Sequence, residues 1–334
     1  MKKAIIGFAL LFCMQSCNQD RFMLRSNGSD MPLYVKGNVN SGVFILFLHG
    51  GPGASAFYDE FGGFFSDIES KYAVVYWEQR GSGISQGNAP KNSINIPQYH
   101  QDIDKVFALL NHLYHQPKIF LMGHSWGGGL GVSYLTYASD KNFNNIKGWV
   151  EIDGLHNVPL SFSKSSQFVI NYARQQIQQN PNSDWQSVLD FYASKTTNDL
   201  LHYPHTDQHA KYVQKCGGYW YSKTYNYANL NNIFFSCSTG FDFLSNNHYI
   251  HQQSLESFLQ PYINLAKIKI PSLILWGRHD GAIPVELSDD AFIHIGTPTS
   301  DKSIFIFENS AHSPYIEEKT LFNQKVVEFV NKYK

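Results

Sequence analysis

Six short apolar runs, separated by stretches of helical periodicity, restrict this chain more than any other feature: VFILFL at 43–48, AVVYW at 73–77, IFLM at 119–122, KGWVEI at 147–152, SLILW at 272–276 and SIFIF at 303–307. They are mostly continuous rather than alternating, which suits parallel strands buried on both faces. Between them, Ile103, Val106, Phe107 and Leu110 recur at i, i+3, i+4 and i+7, one helical stripe. Strands alternating with helices imply an α/β fold with a doubly wound, mostly parallel sheet. The pattern breaks over 154–269, which is rich in Ser, Asn, Gln and Tyr and has no clear buried strand. That stretch reads as an inserted helical cap, with Pro159 near its entry and Pro261 near its exit. Residues 22–153 and 270–334 then form the two parts of one core, closed by a last helix bearing Phe322, Val326, Phe329 and Val330 on one face.

Composition removes several classes of function. A chain of 334 residues buries enough surface to fold without disulfides or a metal. Lys plus Arg number 26 against 27 for Asp plus Glu, so no basic surface is available for nucleic acid. Aromatic residues make up 15% of a nearly neutral chain, the opposite of a disordered composition.

The first 17 residues are expected to be a leader rather than part of the fold. Lys2 and Lys3 precede an apolar run over 4–14, too short for the ~20 residues of a membrane span. Ser16 and Cys17 end it, a pattern similar to a bacterial lipoprotein signal in which Cys17 is lipidated. The expected location is therefore the periplasm or cell envelope, with a lipid anchor as the only membrane contact. In such a compartment Cys216 and Cys237 either form a disulfide or serve as two small buried hydrophobes. No Cys-x-x-Cys pair supports a zinc site, and no metal or cofactor is expected.

The sharpest chemical signal is Gly123-His124-Ser125-Trp126-Gly127, directly after IFLM and before a helical stretch. A strained turn there would present Ser125 at the strand end, and side chains at its flanks would collide. A serine hydroxyl needs a base to become nucleophilic. On a strand-turn-helix of this kind the chain order is serine, acid, histidine. His312, just past SIFIF, fits the base, and Asp280, just past SLILW, fits the acid. His279 adjoins the acid too closely to face it, and Asp301 precedes its strand rather than following it. A second signal, His49-Gly50-Gly51-Pro52-Gly53, follows VFILFL. A glycine-rich turn lets backbone N–H groups approach a developing oxyanion, so Gly51 and Trp126 are the expected donors. Neither a P-loop nor a dinucleotide fingerprint is present.

Together HGGPG at 49–53, WEQRGSG at 77–83, GHSWGG at 123–128 and WGRHD at 276–280 resemble the α/β-hydrolase superfamily, specifically its proline iminopeptidase-like group, serine peptidase family S33. The resemblance implies the α/β-hydrolase fold, a triad of Ser125, Asp280 and His312, and an oxyanion hole built partly by HGGPG. Relatives of this kind release N-terminal proline or cleave esters, amides or lactones. Two positions depart from the group. Glu78 stands where Asp usually precedes Gln-Arg-Gly, and the cap lacks the Trp-Glu pair that helps hold a substrate amine: Gln186 follows Trp185 and Tyr221 follows Trp220. Glu256, Asp242 and Asp207 remain as amine partners, with Trp185, Trp220 and Tyr221 as pocket aromatics. The expectation is an exported serine hydrolase acting on short peptides as a proline iminopeptidase-like aminopeptidase. The alternatives are a carboxylesterase or lactonase on small apolar esters, and a non-catalytic binding protein on the same fold.

Overall fold

The structure is a computed structural model that describes residues 19–139, 146–181, 184–222 and 263–334. Cys17, Cys237, Asp242, Glu256 and Pro261 lie outside those residues.

The described residues contain one nine-stranded sheet. Strands β1 (Gln19–Ser26) and β2 (Ser29–Gly37) form an antiparallel hairpin. Its two-residue loop, Asn27-Gly28, has φ of 42° and 78°. Paired positive φ values match the right-handed twist of the flanking strands, and Asn-Gly tolerates them best. After it come β3 (Val43–Leu48), β4 (Ala73–Trp77), β5 (Gln86–Gly87), β6 (Lys118–His124), β7 (Ile146–Ile152), β8 (Ser272–Gly277) and β9 (Lys302–Phe307). The order across the sheet is β1-β2-β4-β3-β6-β7-β8-β9, with β5 beside β2. From β4 to β9 every pairing is parallel, whereas β1, β2 and β5 pair antiparallel.

Every residue of β3 and β4 is buried, as continuous apolar runs require. One face packs Leu46, Trp77, Ile103, Val106 and Trp149, and the other packs Ile45, Phe47, Phe65, Phe322 and Val326. Ile103, Val106, Phe107 and Leu110 lie on the buried face of α3 (Ile96–Leu113), after α1 (Ala56–Gly62) and α2 (Ser66–Glu69). The Asn95 side chain caps α3 by accepting from the Gln98 N–H at 2.9 Å.

The strand order reverses beside β3, whose sequence successor β4 lies on one side and β6 on the other. Ligand crevices of open α/β sheets form outside the carboxyl ends of strands at such a reversal. The pairing of Leu48 with Gly123 therefore sets the loop after β3 directly beside the turn after β6.

Helix α4 (Trp126–Ser139) follows β6 and is buried along nearly its whole length. Between β7 and β8 the described residues are helical: α5 (Val158–Gln179), α6 (Gln186–Ala193), α7 (Thr197–Leu200) and α8 (His205–Lys215). They share a separate apolar cluster of Val169, Ala173, Trp185, Val188, Tyr192, Leu200 and Val213. The remaining described α-helices are α9 (Glu286–His294), α10 (Pro314–Glu317) and α11 (Lys319–Tyr333). At the entry to α5, His156 ties the segment to the core through Glu151 at 2.6 Å and Asp290 at 3.1 Å. No helix among the described residues is long and apolar enough to cross a membrane.

Candidate active site

Ser125 sits between β6 and α4 with φ of +56°, a left-handed conformation that a non-glycine residue adopts only under constraint. The constraint is visible. Its N–H donates to the Ile152 carbonyl at 2.9 Å, and its carbonyl accepts from Gly128 and Leu155, each at 2.9 Å. Gly127 is required on the helix side, because a Cβ there would run into the Leu48 carbonyl oxygen. The turn is thus clamped by the two neighbouring strands.

Asp280 lies just beyond β8 and is 3% exposed. Its Oδ1 accepts from the N–H groups of Ala282 at 2.8 Å and Ile283 at 2.9 Å. Its Oδ2 meets His312 Nδ1 at 2.7 Å. His312 follows β9, and two contacts hold its backbone: its N–H donates to Tyr219 at 3.3 Å, and its carbonyl accepts from His124 Nε2 at 2.6 Å. Since His124 donates through Nε2, its Nδ1 carries no proton; burial, and then the neighbouring His312, push this ring well below the usual histidine range.

The loop after β3 is braced with equal economy. A Cβ on Gly50 would lie 3.1 Å from His124 Nδ1 and 3.2 Å from the Ser125 Cβ, so the turn runs against the serine. Gln79 accepts from the Trp126 indole at 3.0 Å and donates to the His49 carbonyl at 3.0 Å, tying this loop to α4. The Gln79 N–H donates to His49 Nε2 at 3.3 Å, which leaves Nδ1 to donate to the Gly50 carbonyl at 2.8 Å. Burial lowers the His49 ring to about 4, so it stays neutral and keeps this tautomer. Gly51, with φ of +119°, follows at the cavity wall. Trp126 opens α4, so its backbone N–H belongs to the first turn of that helix.

Glu78, the departure noted in the sequence, joins three segments. Its Oε1 accepts from Ser55 Oγ and the Phe57 N–H, each at 2.7 Å, and its Oε2 from the Ile84 N–H at 3.1 Å. These bonds are structural and fix the start of α1.

Ser125, His312, Gly50 and Gly51 face one cavity of about 960 Å³, at the upper end of the ~300–1,000 Å³ usual for small-molecule sites. The helical layer contributes Phe162, His209, Val213, Tyr219 and Trp220 to its lining. Of the expected pocket aromatics, Trp220 is at the cavity. Trp185 is not: it is 8% exposed inside the cap cluster, beside Tyr172 and under the Lys215 ammonium at 4.2 Å. Tyr221 is also displaced, being 44% exposed and stacked on His279 at 4.4 Å. His279 itself bonds the Glu308 carbonyl, and Asp301 receives the Tyr333 hydroxyl, so neither enters the Asp280–His312 pair. Cys216 is packed in the cap cluster as a free thiol among the described residues, and burial pushes it up to about 12; Cys237, the other half of the expected pair, lies outside those residues.

Sequence reasoning missed three carboxyls here. Asp59 on α1 lines the cavity, 4% exposed, with no hydrogen-bond partner for Oδ1 among the described residues. Glu317 accepts from the N–H groups of Tyr221, Ser222 and Ala311, holding the end of the described cap against the His312 loop. Asp153, beyond β7, is fully buried within 4.8 Å of Asp280 and His312. Those last three are the one group among the described residues with metal-ligand spacing. A cation there would have to displace the His312–Asp280 hydrogen bond.

The strand order, the serine at the β6 turn and the Asp280–His312 pair beyond β8 and β9 give the α/β-hydrolase fold to this chain. Within it, residues 41–198 match the serine aminopeptidase S33 family. The chain is 27% identical to the probable aminopeptidase YbaC of Bacillus subtilis over 317 residues, 92% of each protein. It is 25% identical to the proline iminopeptidase of Saccharolobus solfataricus, covering 86% of this chain and 84% of that one. Among solved structures, VinJ superposes with a TM-score of 0.65 at 19% identity, over 94% of this chain and 99% of that one. An esterase from Exiguobacterium antarcticum gives 0.61 at 17% identity, over 93% and 98%. Those two likenesses establish the fold.

Proposed function

We propose that this protein is a serine hydrolase that releases the N-terminal residue of short peptides through an acyl-enzyme. Ser125 attacks the scissile carbonyl while His312 takes its proton. Asp280 fixes the imidazole tautomer and stabilises the imidazolium without taking the proton itself. The backbone N–H groups of Gly51 and Trp126 meet the oxyanion. His312 then protonates the leaving amine, and water repeats the sequence to free the acid. The observation that carries this reading is the 2.7 Å His312–Asp280 bond, held at the same cavity as a serine on a strained turn.

The amino-terminal preference rests on Asp59, the one carboxyl among the described residues that line the cavity. Burial pushes this carboxyl well above its ordinary range, against the pull of the Tyr315 hydroxyl. A buried carboxyl of that kind ionises readily only beside a cation, and a substrate ammonium is such a cation. The aminopeptidase relatives support the same choice.

A second reading, a small apolar ester as substrate, draws on Leu155, Phe162, Val213 and Ile283 in the same lining. Turnover of a proline arylamide against a short-chain aryl ester, with Ser125→Ala as background, separates the two. Ser125-dependent arylamide cleavage supports the peptidase; ester turnover with arylamide at background retires it. We also propose export with a lipid on Cys17, for which labelled palmitate should enter the wild-type protein and not Cys17→Ala.

A further inference from the structure

Asp153 stands where the sheet brings a second carboxyl against the acid of the triad. It follows β7, between the neighbours β6 and β8, and has φ of +44°. Its N–H donates to the Leu275 carbonyl at 3.0 Å, and its Oδ1 accepts from the Gly277 N–H at 2.9 Å. Two bonds to β8 therefore hold this strained residue in place. The side chain is fully buried, and among the described residues Oδ2 has no N–H or O–H group to accept from. One oxygen of Asp153, one of Asp280 and a ring nitrogen of His312 all lie within 4.8 Å of one another.

Two ionised carboxylates this close and this dry repel strongly, so one of them keeps a proton. The distribution of donors decides which. Asp280 accepts two backbone N–H groups on one oxygen and the imidazole on the other. Asp153 has a single backbone donor and an orphaned oxygen. An anionic oxygen with no donor in a fully buried site is costly, whereas a protonated one becomes a donor itself. Among the described residues the Asp280 carboxylate, with an oxygen within 4.8 Å, offers the acceptor. Burial first, and then the Asp280 charge, push Asp153 well above the usual carboxyl range, and Glu317 on α10 adds to the repulsion. Among the described residues the other titratable group turned toward this pair is Tyr219 from the cap, which burial and Asp280 raise to about 12, so it stays neutral.

We propose that Asp153 is a positioning residue of the triad: it holds a proton on Oδ2 and donates it as a hydrogen bond to the Asp280 carboxylate. The arrangement has a functional consequence. A single anion beside His312 stabilises the imidazolium that forms during reaction. Two anions there would keep the ring protonated before reaction and disable it as a base. This inference rests on Ser125, Asp280 and His312 forming the triad.

The test compares Asp153→Asn and Asp153→Leu with wild type, using the rate of fluorophosphonate labelling across pH and infrared absorption of protonated carboxyl groups. Asn keeps both a donor and an acceptor and carries no charge. Its labelling rate should stay within about threefold, and its acid limb should not move. Leu removes the donor and should slow labelling by about 10- to 100-fold. The protonated-carboxyl band of wild type should lose one component in Asp153→Asn. An acid limb displaced downward by about one to two pH units in Asp153→Asn would show that Asp153 carries a charge, and would overturn the proposal. An unchanged carboxyl band would do the same. If wild type is not labelled at all, the triad reading fails, while the infrared comparison still decides where the proton sits. If the Leu variant does not fold, the Asn variant and the infrared band carry the test.

Discussion

Asp280→Asn should nearly abolish activity without disturbing the fold, and the hydrogen bonds around it say why. The Oδ1 position accepts two backbone N–H groups, from Ala282 at 2.8 Å and Ile283 at 2.9 Å. An asparagine must therefore place its carbonyl oxygen there, since its NH₂ would face two donors. That choice turns the NH₂ toward His312 Nδ1, which sits 2.7 Å from Oδ2 in the wild type. Nδ1 must then accept, and the imidazole proton moves to Nε2, the nitrogen that has to take the Ser125 proton. A wrong tautomer of this kind costs roughly 10⁴ in kcat, equivalent to about 5.5 kcal/mol of transition-state stabilisation. Side-chain volume and both backbone bonds are preserved, so thermal unfolding should move little. The assay is steady-state turnover of an aryl ester, where kcat should fall about 10⁴-fold with KM nearly unchanged. Activity within tenfold of wild type would refute the tautomer argument and the role of Asp280 with it.

Three more perturbations follow from the same contacts. Asp59→Asn should lower kcat/KM for a free-amine arylamide by about 100-fold while leaving an uncharged ester within threefold; equal effects on both substrates would remove Asp59 from amine recognition. Gly127→Ala forces a Cβ onto the Leu48 carbonyl and should destabilise the protein by about 3 kcal/mol or more in urea unfolding, whereas an unchanged midpoint would contradict the packing of α4 on β3. Glu78 is lifted by burial from 4.5 to about 7, so between those pH values the folded protein holds a proton that the unfolded chain has released. Stability should therefore fall as pH rises through that window, by about 3 kcal/mol at roughly 1.4 kcal/mol per pH unit. Glu78→Gln should flatten this slope whatever it does to overall stability; an unaltered slope in chemical unfolding between pH 5 and about 7.5 would assign the effect elsewhere.

The parts of the fold legible in the sequence are those where one physical rule acts alone. VFILFL and AVVYW read as parallel strands because both faces of those strands are buried and nothing interrupts the apolar run. The positions of the serine turn and of the Asp280–His312 pair were legible because each follows an apolar run that ends at the crevice. The β1–β2 hairpin was not anticipated, although Asn27-Gly28 is a strong turn signal. Its strands mix charged and apolar residues, and Pro32 sits inside β2, opposite Met23. Asp59 and Asp153 were hidden for a different reason. Asp59 lies on a helix of seven residues, and Asp153 beyond a strand end, and only the tertiary fold turns either toward the site. Trp185 shows the reverse error, since an aromatic in the cap segment serves the cap's own cluster as readily as a pocket.

The central claim, that Ser125 is an activated nucleophile, is tested most directly by reacting the intact protein with a fluorophosphonate and mapping the adduct by mass spectrometry. The account predicts stoichiometric modification of Ser125, abolished in Ser125→Ala and slowed by orders of magnitude in His312→Ala. Folded protein that stays unmodified, or an adduct on another residue, would contradict it.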